Sequence, residues 1–192
     1  MITLKNRKKE ILTIVEFGEK QLSSELIYDG RVVKLFKDTV RLVNGNESVR
    51  EIVRHPGAVA VVPITEDGEI VLVRQFRYPF GEVLTEIPAG KLDPGEEPEA
   101  AALRELSEET GAEAESLEYL GAFYSSVAIF DEVIHLYLAR GLKFQKQHLD
   151  EDEFLEAKKI PFKDLERMVL TGEVNDAKTV VGVMRAKYVL GL

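Results

Sequence analysis

The stretch AGKLDPGEEPEAAALRELSEETGA, residues 89–112, carries seven acidic residues and only two basic ones among its 24 positions. Pro98 suits the first turn of a helix and Gly111 suits its end, so the pattern predicts a helix between them. Leu103 and Leu106 would then lie on the side that faces the core. The function of the acidic residues then depends on where each of them lies on that helix.

Three of these acids, Glu105, Glu108 and Glu109, fall within an arc of roughly 100° on the predicted helix. Ala101 and Ala102 share the arc one turn earlier, and their small side chains leave room for a ligand. Like charges at this spacing repel each other. Two interpretations are open: a solvated acidic face, or a site for a hard cation such as Mg²⁺, which prefers oxygen ligands.

Composition limits the function classes. The net charge is −9 and the isoelectric point is near 5.0. The chain therefore lacks the overall positive charge that is typical of proteins that bind nucleic acid. An anionic substrate would need clustered arginines or a bound cation. The absence of cysteine excludes disulfides, thiolate zinc sites and cysteine nucleophiles. No apolar run approaches the ~18 residues that span a membrane, so the sequence predicts a cytoplasmic protein without a membrane partner.

Hydrophobic patterning predicts two parts: a small antiparallel β unit over residues 1–54 and a mixed α/β domain over 55–192. Dipeptides that favour tight hairpins stand at Asp29-Gly30, Asn44-Gly45 and Asp67-Gly68. The predicted strands are 11–17, 31–43, 47–54, 57–64, 70–76, 117–124, 132–141 and 153–160, and two further helices are predicted at 161–172 and 175–190. The first part is too small for a robust core of its own.

The acidic stretch also resembles a known signature. Gly90, Glu96, Arg104-Glu105-Leu106, Glu108-Glu109 and Gly111 match the fixed positions of the 23-residue Nudix hydrolase pattern, with Ala112 at a closing position that usually holds a larger aliphatic residue. The resemblance implies an α/β/α sandwich with a mixed sheet. It also implies hydrolysis of a diphosphate linked to a further group.

The resemblance to the Nudix hydrolases further implies a metal site for Mg²⁺, with Mn²⁺ as a possible substitute. Its ligands carry over to Glu105 and Glu109, with Glu108 nearby and the carbonyl of Ala89 as a further ligand. Arg104 would hold the loop or the glutamates by hydrogen bonds. Such cations would bridge diphosphate oxygens and help to deprotonate a water.

The run VRQFRYP (73–79), followed by Glu86 to Gly90, is similar to the ADP-ribose pyrophosphatase group of this family. The similarity implies a homodimer that exchanges its N-terminal sheets. Arg54 and Arg77 would contact diphosphate or ribose, unless they are ordinary surface charges. Glu86 would lie near the metal or the terminal ribose, and Tyr28 would either stack on adenine or pack in the core.

The family's water-activating glutamate maps to the acidic run at 150–153. Glu153 is the first candidate because it stands immediately before an apolar strand, and Glu151 is the second. Together with Glu109 they form the predicted catalytic set. An unstructured acidic loop is the alternative.

One departure concerns the substrate. The ADP-ribose group usually has Ser-Pro-Gly shortly before an acidic pair, and here the segment reads Ser126-Val127-Ala128. The replacements remove residues that favour a rigid turn. The leading prediction is hydrolysis of ADP-ribose to AMP and ribose 5-phosphate. The alternatives are another nucleotide sugar such as GDP-mannose, or a non-catalytic module that senses nucleotides.

Overall fold

The computed structural model describes residues 17–149 and 153–192, so the strand predicted at 11–17 lies outside the described residues except for Phe17. The chain divides into two compact units. Among the described residues, one unit contains those of 17–55 together with Ser126–Asp131, and the other contains those of Pro56–Ser125 and of 132–192. The boundary predicted after Arg54 stays a prediction.

The first unit is a three-stranded antiparallel sheet in the order β1-β2-β3. Its strands are β1 (Lys20–Asp29), β2 (Lys34–Arg41) and β3 (Glu47–Arg54). The predicted turn at Asn44-Gly45 is confirmed, with Gly45 at φ 86°. Strand β1 is absent from the predicted strands because KQLSSELIYD is mostly polar and does not alternate. All ten of its residues are exposed, and pairing with β2 holds it in place.

The Asp29-Gly30 dipeptide stands where β1 ends and the connection to β2 begins. The connection is not the tight hairpin turn that the dipeptide predicts. Gly30 does not have the positive φ that a tight hairpin would require. Instead its N–H donates to the carbonyl of Val33 at 2.9 Å, which closes a wider turn. The hairpin therefore forms with a longer loop than the dipeptide predicts.

The second unit contains nine strands and three helices within the described residues. The strands are β4 (Ala58–Pro63), β5 (Glu69–Arg77), β6 (Glu82–Glu86), β7 (Ala89–Lys91), β8 (Ala112–Glu113), β9 (Ser116–Tyr124), β10 (Val133–Arg140), β11 (Lys143–Phe144) and β12 (Leu155–Pro161). The helices are α1 (Pro98–Thr110), α2 (Phe162–Thr171) and α3 (Ala177–Leu190).

A mixed sheet lies at the centre of the second unit, in the order β7-β4-β10-β9. Strand β10 runs parallel to β4, whereas β7 and β9 are antiparallel to their neighbours. Every residue of β4 is buried, as its continuous apolar run predicts. Alternate β4 residues contribute to two separate clusters, one with α1 and the other with α2 and α3. The predicted α/β/α sandwich is confirmed.

The helix ends follow the sequence signals. Helix α1 begins at Pro98, and Gly111 ends it in the left-handed conformation at φ 68°. The side chain of Asp176 caps α3 by accepting a hydrogen bond from the N–H of Thr179 at 3.0 Å. No helix in the described part of the chain is long and apolar enough to cross a membrane.

Candidate active site

Helix α1 turns part of its acidic face into the protein. Glu105 is 9% exposed and Glu109 is 4% exposed, so a solvated acidic face is excluded for these two residues. Ala101 and Ala102 are fully buried in the cluster shared with β4, and they do not border an open space as expected. Leu103 is 41% exposed, so its predicted place in the core is wrong. The core-facing stripe instead follows the alanines and Leu106, because their spacing matches one side of the helix.

Glu105 packs directly on the glycine that opens the signature. A Cβ added to Gly90 would lie 1.9 Å from the Glu105 carboxylate. Only glycine therefore lets β7 approach the helix this closely without displacing the carboxylate. Burial raises the pKa of Glu105 above its usual range, and the charges of Glu108 and Glu153 add to that rise against the opposing effect of Arg104.

Glu109 is the most deeply buried acid of the helix. Its Oε2 accepts a hydrogen bond from the backbone N–H of Ala89 at 2.9 Å, which fixes the carboxylate beside β7. Burial raises the pKa of Glu109 to about 8, and the charges of Glu105 and Glu153 contribute to the rise. Such a carboxylate is costly to ionise unless a cation approaches it.

Arg104 holds the other glutamates and the preceding loop. Its Nε and Nη2 donate to both oxygens of Glu96, at 2.9 and 2.8 Å, and this pair lowers the pKa of Glu96 to about 2. Its Nη1 donates to Glu105 at 2.8 Å and to Glu108 at 3.0 Å. A weaker bond from Nη2 reaches the carbonyl of Lys91 at 3.3 Å. One guanidinium thus partly compensates the acidic face.

The donor set fits a hard divalent cation. Within residues 17–149 and 153–192, no three acidic or histidine side chains converge as a metal site. Glu105 and Glu108 are both paired with Arg104. Glu105 and Glu109 are nevertheless buried carboxylates whose ionised forms lack full compensation. Oxygen ligands of this kind are those that Mg²⁺ prefers. Glu105, Glu108, Glu109 and the carbonyl of Ala89 stay the predicted ligands.

The acidic run before β12 is described only in part. Glu151 lies outside the described residues. Glu153 is half-buried, and its charge contributes to the raised pKa of both Glu105 and Glu109. The fold therefore brings Glu153 into the electrostatic neighbourhood of the predicted metal ligands.

Arg77 and Glu86 form a bidentate ion pair across the β5–β6 hairpin. Arg77 Nε and Nη2 donate to the two Glu86 oxygens, both at 2.7 Å. Glu86 is almost completely buried. Burial acts to raise its pKa, but Arg77 and Lys178 outweigh that effect and keep the pKa below its usual range. The charge of Glu109 also acts on Arg77, so this pair is near the predicted metal ligands.

The sequence gives no sign of the partner of Glu86 on helix α3. Lys178 Nζ donates to Glu86, and it also donates to Asp176 at 3.0 Å. Asp176 is the N-cap of α3. This cap marks the start of α3 in the sequence. It does not indicate the bond between Lys178 and Glu86, because these two residues are separated by 92 positions.

Arg54 is held by two carboxylates within the first unit. Its Nη1 donates to Asp131 at 3.1 Å and its Nη2 donates to Asp38 at 3.4 Å. The guanidinium also lies over the ring of Phe36, 5.7 Å from the centroid. Arg54 is therefore a positioned side chain, although its predicted contact with substrate stays a prediction.

The altered segment Ser126-Val127-Ala128 still forms a turn. The N–H groups of Ile129 and Phe130 both donate to the carbonyl of Ser126, at 3.3 and 3.1 Å. Backbone hydrogen bonds thus close the turn without proline or glycine.

Tyr28 does not pack in a core, since it is 60% exposed on β1. Core packing was one of the two predicted alternatives, and the described structure excludes it. Stacking on a substrate base stays a prediction.

Comparison with known proteins identifies the family. The NUDIX domain matches residues 54–181. The chain is 48% identical over 167 residues to the ADP-ribose pyrophosphatase of Bacillus subtilis (strain 168), covering 86% of this chain and 90% of that protein. It is 49% identical over 169 residues to the methanol dehydrogenase activator of Bacillus methanolicus, with coverages of 87% and 91%. The crystal structure of an ADP compounds hydrolase superposes with a TM-score of 0.81 at 25% identity, over 90% of this chain and 94% of that one.

Proposed function

Because this chain belongs to the Nudix hydrolase family, we propose that it hydrolyses the diphosphate of ADP-ribose, with Mg²⁺, to AMP and ribose 5-phosphate. The observation that carries the proposal is the buried pair Glu105 and Glu109, placed against Gly90 and Ala89 by the signature helix. The ADP-ribose pyrophosphatase named above supports the choice of substrate.

Glu105, Glu108, Glu109 and the Ala89 carbonyl would hold the cation. Bound Mg²⁺ would neutralise negative charge on the diphosphate and make a water molecule easier to deprotonate. The protein's contribution is to keep Glu105 and Glu109 buried and oriented. The cation would compensate both carboxylates, of which Glu105 is paired with Arg104 in its absence. Mn²⁺ has the same preference for oxygen ligands and is the expected substitute.

Glu153 is the proposed general base, with Glu151 as the second candidate. In the reaction, the water oxygen forms a bond to one phosphorus and the bond from that phosphorus to the bridging oxygen breaks. The water proton passes to the glutamate, and the bridging oxygen leaves with the other phosphate. Support for Glu153 comes from its electrostatic influence on Glu105 and Glu109.

Arg77 and Arg54 are the proposed contacts for the diphosphate or ribose. Arginine suits this role because its planar guanidinium donates two hydrogen bonds at once. In each case a carboxylate already orients the guanidinium, Glu86 for Arg77 and Asp131 for Arg54. Glu86 therefore acts as a positioning residue through Arg77.

A homodimer is the proposed assembly, with the N-terminal sheet contributing to the partner. The support is the apolar surface of β1, where Leu26, Ile27 and Tyr28 are all exposed within a single chain. Exposed apolar groups on a sheet edge favour association with a second surface. Light scattering on the purified protein should give twice the chain mass, and a monomer at all concentrations would contradict the proposal.

A substrate panel tests the proposed function. ADP-ribose, ADP-glucose and GDP-mannose are each incubated with the enzyme over a range of Mg²⁺ concentrations, and nucleotide monophosphate is quantified. The expected result is the highest kcat/KM for ADP-ribose. Turnover of GDP-mannose without turnover of ADP-ribose would show that the proposed substrate is wrong. No turnover of any of the three compounds would favour the nucleotide-sensing alternative.

A further inference from the structure

A connected set of charged and polar groups lies at the start of helix α3, outside the metal-binding signature. Lys178 is the centre of this set. Its side chain is only 13% exposed, and its Nζ donates to both Glu86 and Asp176. Lysine is rarely buried to this extent unless it is paired. The two carboxylates supply that pairing.

The same helix start also holds the backbone that follows Glu86. The buried Oγ1 of Thr179 accepts a hydrogen bond from the N–H of Ile87 at 2.9 Å and donates to Asp176 Oδ2 at 2.6 Å. Asp176 in turn accepts from the N–H of Thr179. Consequently α3 holds the Glu86 side chain through Lys178 and the Ile87 backbone through Thr179.

These hydrogen bonds connect α3 to two parts of the proposed active site, the proposed substrate contact Arg77 and the predicted metal ligand Glu109. Glu86 binds Arg77 through both of its oxygens. Two residues beyond Ile87, the N–H of Ala89 donates to Glu109. The positive charge of Lys178 also acts on Glu109, where it opposes the larger effect of burial on the pKa.

We propose that Lys178 is a positioning residue for the hydrolytic reaction: through Glu86 it fixes the guanidinium of Arg77, and through Asp176 it fixes the strand end that leads to Ala89. The kinetic part of this inference rests on the proposed function, in which Arg77 contacts the substrate. The structural part concerns the ligand-free protein alone. The two parts can therefore fail separately.

Lys178→Met is the decisive substitution, because methionine keeps most of the length of the side chain and removes its charge and its donors. Lys187→Met is the matched control: Lys187 lies on the same helix and has its own carboxylate partner, Glu166. The first measurement is amide hydrogen exchange of Ile87 and Ala89 in the ligand-free protein. Both amides should exchange faster in Lys178→Met and at the wild-type rate in Lys187→Met.

The second measurement is the steady-state kinetics of ADP-ribose hydrolysis. Loss of alignment at Arg77 should lower kcat/KM by about tenfold to a hundredfold, while Lys187→Met stays within about twofold of wild type, as for a substitution far from the site. Lys178→Arg keeps the charge and should recover part of the loss. Wild-type exchange and kinetics in Lys178→Met, or an equal loss in Lys187→Met, would overturn the proposal.

A folding defect does not remove the test. If Lys178→Met does not fold, Lys178→Gln replaces it, since glutamine removes the charge while keeping a polar side chain beside the two carboxylates. It should change the same two measurements in the same direction, and wild-type values would overturn the proposal. If the wild-type enzyme does not hydrolyse ADP-ribose, the proposed function fails. Amide exchange then decides on its own whether Lys178 holds the strand end.

Discussion

Glu109→Gln should change the pH dependence of stability in the metal-free protein. The wild-type carboxyl has a pKa of about 8 in the folded state, because it is buried near other acids, against a value of 4.5 for an unperturbed glutamate. Glutamine resembles the protonated form in shape, and its carbonyl oxygen can still accept the hydrogen bond from Ala89. The substitution therefore removes a titration and keeps the local contact.

The sign follows from proton binding. Between the two pKa values the folded protein binds one more proton than the unfolded chain, so the free energy of unfolding falls as pH rises. Each pH unit in this interval costs about 1.4 kcal/mol. From pH 6 to pH 8.5 the wild type should therefore lose about 2 to 3 kcal/mol that the variant does not lose.

Urea unfolding in EDTA at the two pH values provides the measurement. The difference in unfolding free energy, Glu109→Gln minus wild type, should become more positive by that amount at the higher pH. Glu99→Gln removes a carboxylate from an exposed position on the same helix and should show no comparable change. A Glu109→Gln difference that is independent of pH would refute the assignment of Glu109 as a buried carboxyl with a raised pKa.

Two further substitutions test the contacts around the site. Gly90→Ala should displace the Glu105 carboxylate, because the added Cβ would lie 1.9 Å from it. The affinity for Mn²⁺, measured by paramagnetic resonance, should then fall by about tenfold. An unchanged affinity would contradict the close approach of Gly90 to Glu105. Thr179→Val leaves the buried N–H of Ile87 without its acceptor and should cost about 1 to 3 kcal/mol of stability in urea unfolding. The exposed Thr171→Val is its control and should change stability by less than about 0.5 kcal/mol; equal effects would show that the Ile87 bond contributes nothing.

Local signals in the sequence were sufficient for the helix ends and for the buried central strand. Helix α1 begins at Pro98 and ends at Gly111, because proline suits the first turn of a helix and glycine suits the position just after its end. Asp176 caps α3 because a short acidic side chain reaches the free N–H groups of a first turn. The apolar run of β4 required burial on both faces.

The remaining features depend on contacts between distant parts of the chain. The sequence shows Glu105 and Glu109 on one arc, but only packing against β7 shows that they are buried. Strand β1 has no apolar alternation, and its structure comes from pairing with β2. The bond between Lys178 and Glu86 joins positions 92 apart, and a lone lysine near a helix start gives no sign of such a partner.

The most direct test follows the products formed from ADP-ribose by wild type and Glu109→Gln as Mg²⁺ is varied. The reaction is run in ¹⁸O-labelled water and analysed by mass spectrometry. We expect equal amounts of AMP and ribose 5-phosphate, with the label in one of them, and a loss of rate in Glu109→Gln of about a thousandfold. Product formation that needs no divalent cation, or that survives in Glu109→Gln, would contradict the conclusion that the buried glutamates of α1 form the metal site for diphosphate cleavage.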